Sequence, residues 1–335
     1  MRYTFSAEQQ AFGESADALF RKVCTGQGQR ELWSTETGRD VVLWEAIAEL
    51  GAPAIIVPEE NDGIGGTEAD LVPFFEAVGY HAVPDALVEA VFVGPFAITA
   101  AGSRSQRERW LPLVASGELR VTIALEEGAL VPDAHVSDLI LLARDGELWA
   151  HTRDGLELQA RTSQDPSRRL FSVRAMHTGE RLPGSRAALA KIEARQLVGS
   201  AAVLNGISKR LLEDSVAYAQ TRKQFDRVVG SFQAVKHLLA DVASHLPLAT
   251  AATRAAAVIL GTDTVAGIAA AEVARIVAVE TEFLANHTAL QVHGGVGFTF
   301  EVDLQIWLKR GKVLENAHGG SRAIARRAGM RAVLG

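Results

Sequence analysis

The sequence predicts a mainly α-helical protein with a small β domain, in the order helical domain, β domain, helix bundle. Through most of the chain apolar residues recur every three or four positions, which is the period of a helix. Between residues 118 and 187 they instead form short runs separated by Asp-Gly and Gly-Glu pairs, as strands and turns do. We therefore predict three domains, at residues 1–117, 118–187 and 188–335.

Three helical runs make up the predicted N-terminal domain. They are ALFRKV at 18–23, VVLWEAIAELG at 41–51 and LVPFFEAVGYHA at 71–82, and the glycine-rich stretch VPEENDGIGGT at 57–67 is predicted as a loop. No apolar signal-peptide core begins the sequence, and no run approaches the ~18 apolar residues of a membrane span. We expect a cytoplasmic protein without a membrane segment.

Strands are predicted in the middle domain, in GELRVTIALEEG at 117–128, HVSDLILLARDGELWAHT at 135–152 and RRLFSVRAM at 168–176. Long, alanine-rich helical segments follow at 191–222, 232–260 and 264–292. Their apolar stripes are wide enough to bury one face inside a bundle and another against a second bundle. We expect an antiparallel helix bundle and a chain that is not a stable monomer.

Composition excludes several classes of function. Hydrophobic residues make up 48% and charged residues 22% of the 335, as is usual for a globular protein. The net charge of −6 argues against a nucleic-acid-binding protein. Because Cys24 is the single cysteine, the chain has no intramolecular disulfide and no cysteine-based metal site, and we expect Cys24 to be a packing residue.

One segment between two predicted helices, TRKQFDRVVGSFQAVKHLLAD at 221–241, carries side chains suited to an anionic ligand. An arginine at such a turn can bind a diphosphate with two hydrogen bonds, and glutamines can bind phosphate oxygens or an adenine edge. Taken alone, the segment is more typical of a solvated surface with helix caps. The candidate residues are Arg222, Gln224, Phe225, Phe232, Gln233 and Lys236.

A second segment, QVHGGVGF at 291–298, offers a glycine pair. Gly294 and Gly295 have no Cβ to obstruct a ligand, although a glycine pair also ends many helices.

In this order and spacing, the two segments resemble the acyl-CoA dehydrogenase family. In that family an R-x-x-F-G-x6-Q turn and a Q-x-x-G-G-x-G-F loop hold the ADP half of FAD across a subunit interface, and a vPEe-GG-G loop similar to residues 57–66 lies in the N-terminal domain. The resemblance implies an N-terminal helical domain, a β domain and a C-terminal antiparallel four-helix bundle. It also implies that Arg222 contacts the FAD pyrophosphate, that Gln224 and Phe225 lie along it, and that Phe232 and Gln233 contact the adenosine. Gln291, Gly294 and Gly295 would close over the ADP.

The chain departs from the family pattern where the flavin ring is expected. The family's T-E-P-x-x-G-S-D stretch corresponds to ALEEGALVPDAHVSD, so Leu125 replaces a hydroxyl residue and Leu130 and Val131 replace Gly-Ser. A leucine cannot donate a hydrogen bond to the flavin. The family's W-I-T strand is missing from this sequence, and Trp149 is either an aromatic replacement for it or a core residue. In the arginine turn, Asp226 stands where the family has glycine.

The usual catalytic base is also replaced. Desaturation of a thioester needs a carboxylate to remove the α-proton on the substrate face opposite the flavin. The register of the family places His318 at the common position of this base, and Gln196, with Leu197 and Gly199 beside it, at the alternative position. The catalytic residue is therefore unknown, with His318 as the candidate. The nearest acids are Glu193, Glu315, Glu301 and Asp303.

With these departures, the chain resembles the acyl-CoA dehydrogenases of bacterial steroid breakdown that are built from two different subunits. Those enzymes form α2β2 tetramers with fewer flavins than subunits. The resemblance implies a subunit that lends the ADP side of an FAD site to a second acyl-CoA dehydrogenase-like subunit and supplies no base. It implies a bulky acyl-CoA substrate and an electron-transfer flavoprotein as acceptor. Two alternatives stay open: a complete homomeric enzyme with a displaced base, and a non-catalytic scaffold of the same fold.

Overall fold

The N-terminal domain is helical, as predicted. The computed structural model describes residues 4–317 and 320–334. Ser6 caps the first helix by accepting a hydrogen bond from the backbone of Gln9, whose side chain binds back to Ser6. A π-helical turn, Val88–Val93, leads directly into the fifth helix. The helices are α1 (Ala7–Val23), α2 (Gly26–Trp33), α3 (Val41–Glu49), α4 (Glu68–Tyr80), α5 (Gly94–Ala101) and α6 (Arg104–Ala115).

The middle domain consists of short strands in two sheets, one ordered β1-β3-β4-β7 and the other β2-β6-β5. β3 and β4 form a hairpin whose tip, Asp145-Gly146, has positive φ at both residues, as a tight two-residue turn requires. β1 pairs with β3 in parallel. The strands are β1 (Val121–Ala124), β2 (Val131–Pro132), β3 (Leu139–Arg144), β4 (Glu147–Thr152), β5 (Leu156–Arg161), β6 (Leu170–Ala175) and β7 (Glu180–Leu182).

The C-terminal domain is the predicted helix bundle. Three long helices pack on one another, α10 packs on two of them as the fourth helix, and the last helix packs on α9. Gly206 lets the bundle approach the N-terminal domain, because a Cβ there would lie 2.0 Å from the carbonyl oxygen of Glu76. The elements are α7 (Ser185–Thr221), β8 (Lys223–Gln224), β9 (Arg227–Val228), α8 (Gln233–Thr262), α9 (Thr264–His293), α10 (Leu304–Asn316) and α11 (Gly320–Leu334).

Buried ion pairs join the three domains. Arg39 of the N-terminal domain pairs with Asp133 of the β domain, and Arg310 of the bundle pairs with Asp165. Burial alone would raise the pKa of Asp133, but Arg39 holds it below the usual range, so the pair is ionised. One hydrophobic core runs through all three domains. The three-domain order is thus confirmed, while the exact boundaries at 117/118 and 187/188 stay a prediction.

One helix, α8, is long and apolar enough to cross a membrane by length and composition. It packs against α7 and α9 in the bundle, yet only 28% of its most apolar window is buried. Leu248 on α8 is 65% exposed and Val265, which follows in α9, is 75% exposed. The bundle therefore keeps an uncovered apolar face.

Candidate functional site

The arginine segment forms a two-residue hairpin at the end of α7. The amide of Val229 donates to the carbonyl of Arg222 (2.8 Å), which closes the hairpin and leaves the Arg222 side chain exposed. Phe225 and Asp226 occupy the tip with φ of 52° and 61°. Both positions of this turn type need positive φ, which aspartate tolerates better than most residues. Asp226, which stands where the family pattern has glycine, is therefore compatible with this turn.

Aromatic rings surround the tip. The ring of Phe225 is 86% exposed and meets Phe232 edge-on, with centroids 6.2 Å apart. The guanidinium of Arg227 lies 4.1 Å from the centre of the Phe232 ring. Sequence reasoning did not single out Arg227, because a cation over an aromatic ring is a tertiary contact. The cluster offers a flat apolar surface and positive charge to a planar anionic ligand.

The glycine segment begins where α9 ends. Gly294 adopts φ 61° and ψ −139°, a conformation that L side chains rarely adopt. A Cβ on Gly294 or Gly295 would meet no atom within 4 Å, so this backbone faces open space. Gln291, one turn earlier, is exposed, and so are Gln224 and Gln233. Glycine at 294 is required by the backbone, and the absence of side chains leaves that backbone accessible.

A ring stack brings the two segments together. Tyr218, one turn before Arg222, stacks on His293, directly before Gly294, with centroids 4.3 Å apart and planes 25° from parallel. The Nδ1 of His293 lies 2.8 Å from the carbonyl oxygen of Ala289, which fixes the buried imidazole. The structure thus places the predicted ADP contacts at one end of the bundle. Neither Tyr218 nor His293 was predicted, since 75 positions separate them in the sequence.

A cavity of about 310 Å³ lies between the three domains of the chain. Leu125 and Leu130 line it, and Val131 is buried in the small core of the β domain. The hydroxyl of Thr122 on β1 donates to the carbonyl of Pro132 (2.7 Å) and is used within the protein. The cavity wall therefore carries leucines at two of the positions where the resemblance implies contacts to a flavin ring. Its apolar lining residues include Ile123, Leu125, Leu130, Leu170, Leu197 and Val313, and its polar lining residues are Glu89, Glu126, Arg168, Glu193, Gln196, Asn316 and Arg327.

Two carboxyl groups reach this cavity, the half-buried Glu193 and the buried Glu89. Burial raises the pKa of Glu193 on α7, and Gln196, at the alternative base position, lies on the same wall one turn later. Burial also raises the pKa of Glu89. Sequence reasoning missed Glu89, whose signal is one acid within an apolar run at 86–93. Leu197 lines the cavity too, whereas Gly199 packs against the π-helical turn.

The remaining base candidates lie elsewhere. Glu315 forms an ion pair with Lys312 (2.9 Å). Asp303, at the start of α10, forms an ion pair with Arg30 of α2. Glu301 is exposed. His318 lies outside the described residues. Asn316 and Ala317, just before it, line the cavity.

Two other residues have no place in this site. Burial raises the pKa of Cys24 to about 12, which disfavours the nucleophilic thiolate form. Trp149 is half-buried on β4, across from Leu142 and Arg181, and does not line the cavity.

Comparison with known families places these features in context. Residues 6–118 match the acyl-CoA dehydrogenase N-terminal domain, and residues 184–334 match the acyl-CoA dehydrogenase C-terminal domain. The chain belongs to the acyl-CoA dehydrogenase family. This acyl-CoA dehydrogenase is 30% identical to acyl-CoA dehydrogenase IpdE2 of Mycolicibacterium smegmatis, over 95% of both chains. It is also 30% identical to IpdE2 of Mycobacterium tuberculosis, over 95% of this chain and 93% of the relative.

Solved structures of similar fold include two complexes. One is a variant of the Tcur3481-Tcur3483 steroid ACAD, with 26% identity, a TM-score of 0.89 and coverage of 96% of each chain. The other is the ChsE4-ChsE5 complex from Mycobacterium tuberculosis, with 24% identity, a TM-score of 0.89 and coverage of 99% of each chain. The predicted fold, the predicted family and the resemblance to steroid acyl-CoA dehydrogenases are confirmed, and the protein is an oxidoreductase of this family. Its individual FAD contacts stay predictions.

Proposed function

We propose that this chain is one subunit of an FAD-dependent acyl-CoA dehydrogenase that introduces an α,β double bond into a bulky acyl-CoA thioester. It contributes the ADP side of the FAD site to a second acyl-CoA dehydrogenase-like subunit. That second subunit holds the flavin ring and supplies the catalytic carboxylate. FAD, when bound, accepts the hydride removed from the substrate.

One observation carries this proposal: the two halves of the cofactor site are unequal in this chain. The ADP half fits FAD, because the exposed Arg222, the ring of Phe225 and the open backbone at Gly294 lie together through the Tyr218–His293 stack. The ring half does not fit, because its wall carries leucine in place of hydroxyl donors. A chain with this asymmetry is suited to an unlike partner.

The comparisons support the substrate and partner. A relative of the same fold is named a steroid ACAD, and another is named as a complex of two proteins. We therefore infer a steroid-derived acyl-CoA as substrate, an α2β2 assembly and an electron-transfer flavoprotein as electron acceptor. The exposed apolar side chains of α8 and α9, such as Leu248, Val265 and Phe283, support the assembly, because monomers rarely leave such a face uncovered.

The flavin spectrum of the purified chain tests the proposal. Expressed alone, the chain should be colourless, and co-expressed with an acyl-CoA dehydrogenase-like partner it should yield a yellow complex with about one FAD per two chains. A yellow protein with one FAD per chain, obtained from this chain alone, would contradict the proposal. Absence of flavin from every stable complex would support a scaffold instead.

A homomeric enzyme with a displaced base is the second candidate, and Glu193 favours it. Its carboxyl lines the cavity on the helix that carries the alternative base position, and its raised pKa suits a proton acceptor. In that case the chain alone should oxidise acyl-CoA, with turnover rising as the carboxyl loses its proton. Glu193→Gln should then abolish turnover with FAD still bound, while Glu127→Gln, at an exposed acid outside the cavity lining, should not.

A further inference from the structure

Glu89 is a buried acid in an apolar setting. It lies in the π-helical turn Val88–Val93, whose other five residues are all apolar and buried, and only 3% of its own surface is exposed. π-helical turns often mark functional sites, because they disturb the regular helix to place a side chain. Burial of an unpaired carboxylate is costly, so a retained one calls for a partner.

The partner within the protein is Arg168, which approaches from the segment before β6. Its Nη2 lies 3.8 Å from the Oε1 of Glu89, which is too long for a hydrogen bond. Within residues 4–317 and 320–334, neither side chain is hydrogen-bonded to another side chain. Burial raises the pKa of the Glu89 carboxyl and outweighs a backbone hydrogen bond at Glu89 that lowers this pKa. Both groups line the 310 Å³ cavity on one side and a small cavity of about 30 Å³ on the other. The carboxyl and the guanidinium thus face each other across a gap that opens into the larger cavity.

The rest of that cavity wall is largely apolar. Leucine, isoleucine and valine side chains from β1, α7 and α10 line this cavity, and so do the polar side chains of Glu126, Glu193, Gln196, Asn316 and Arg327. The cavity volume falls in the range of small-molecule pockets. A ligand seated against the pair would therefore be a largely apolar body with a polar group directed at Glu89 and Arg168.

We propose that this cavity binds an alicyclic alcohol, whose hydroxyl donates a hydrogen bond to Glu89 and accepts one from Arg168. Of the common oxygen substituents, a hydroxyl satisfies both partners at once. At a pH that keeps Glu89 ionised, a ketone would accept from Arg168 but leave Glu89 without a donor, and a carboxylate would be repelled by Glu89. This alcohol site goes beyond the proposed function. It rests on the proposed function in one respect, because the flavin ring must lie in the partner subunit for this cavity to accept another ligand.

Three probes with one ring system test this assignment. Decahydro-2-naphthol, its ketone and decahydronaphthalene-2-carboxylate differ only in the oxygen group, and their binding to the full chain is measured by NMR titration, alone and in the assembled complex. We expect the alcohol to bind at least about ten-fold more tightly than either analogue, because the analogues leave a buried polar group unpaired. Equal affinity for alcohol and ketone, or no binding of any probe, overturns the proposal.

Variants connect the preference to Glu89. Glu89→Leu should bind alcohol and ketone equally, whereas Glu89→Gln, whose side-chain oxygen still accepts a hydroxyl, should keep part of the preference. Glu127→Gln, an exposed acid outside the cavity lining, is the matched control and should behave as the parent. A full alcohol preference in a folded Glu89→Leu protein overturns the assignment. Because binding to the chain alone is measured without flavin, failure there is separate from failure of the proposed FAD site.

Discussion

Arg222→Ala tests the proposed pyrophosphate contact. Arg222 follows α7, its side chain is exposed, and no described acid lies within ion-pair distance of it. The hairpin is closed by the backbone of Arg222 and Val229, which alanine preserves, so stability should change by no more than about 0.5 kcal/mol. A guanidinium bound to a pyrophosphate contributes roughly 1.5 to 3 kcal/mol. The variant should therefore bind FAD about ten-fold to a hundred-fold more weakly.

The assay is a titration of the flavin-free assembled protein with FAD, followed by flavin fluorescence. Arg104→Ala is the control, because it removes another exposed arginine, paired with Glu108, from the N-terminal domain. The control should bind FAD as the parent does. An unchanged FAD affinity in Arg222→Ala, or an equal loss in Arg104→Ala, would refute the pyrophosphate assignment.

Three further predictions follow from the fold and the site. The purified chain should not be a stable monomer, so light scattering that gives a mass near 35.8 kDa at all concentrations would contradict the exposed apolar face of α8 and α9. Glu282 lies buried in α9, and this burial raises the pKa of its carboxyl to about 7. The stability contributed by its protonated form is present below about pH 4.5 and is lost as pH rises towards 7. Glu282→Gln should accordingly raise the unfolding free energy by up to about 3 kcal/mol above pH 7 and little at pH 4.5, and a gain independent of pH in thermal unfolding would contradict this. His318→Ala should leave turnover of the assembled enzyme within about a few-fold of the parent, since the partner supplies the base. A flavin-replete but inactive variant would restore this chain as the catalyst.

Elements with a strong local pattern were predictable from the sequence. The long alanine-rich runs became α7, α8 and α9, because their apolar stripes match the helix period over 30 or more residues. Asp145-Gly146 marked the β3–β4 hairpin, because both residues tolerate positive φ. The parallel pairing of β1 with β3 depends on tertiary packing and has no comparable local signal.

Residues of the candidate site were predictable from the sequence where they belong to a family motif. Contacts between segments that are distant in the sequence were not predictable. Arg222 and Gly294 stand in recognisable motifs, whereas the stack of Tyr218 on His293 that joins them depends on how α7 and α9 pack. Glu89 stood out only as one acid in an apolar run. Its function depends on a π-helical turn and on Arg168, which lies 79 positions away in the sequence.

The division of one FAD between two subunits is tested most directly by photolabelling. The assembled protein is loaded with FAD that carries an azide on the adenine, irradiated and digested with trypsin. The label should fall on this chain, in the peptide 228–236 that holds Phe232 and Gln233 or in the peptide 276–309 that holds Gln291 and Gly294. An azide on the flavin ring should instead label the partner. Adenine label confined to the partner, or ring label in the cavity peptides of this chain, would contradict the shared site.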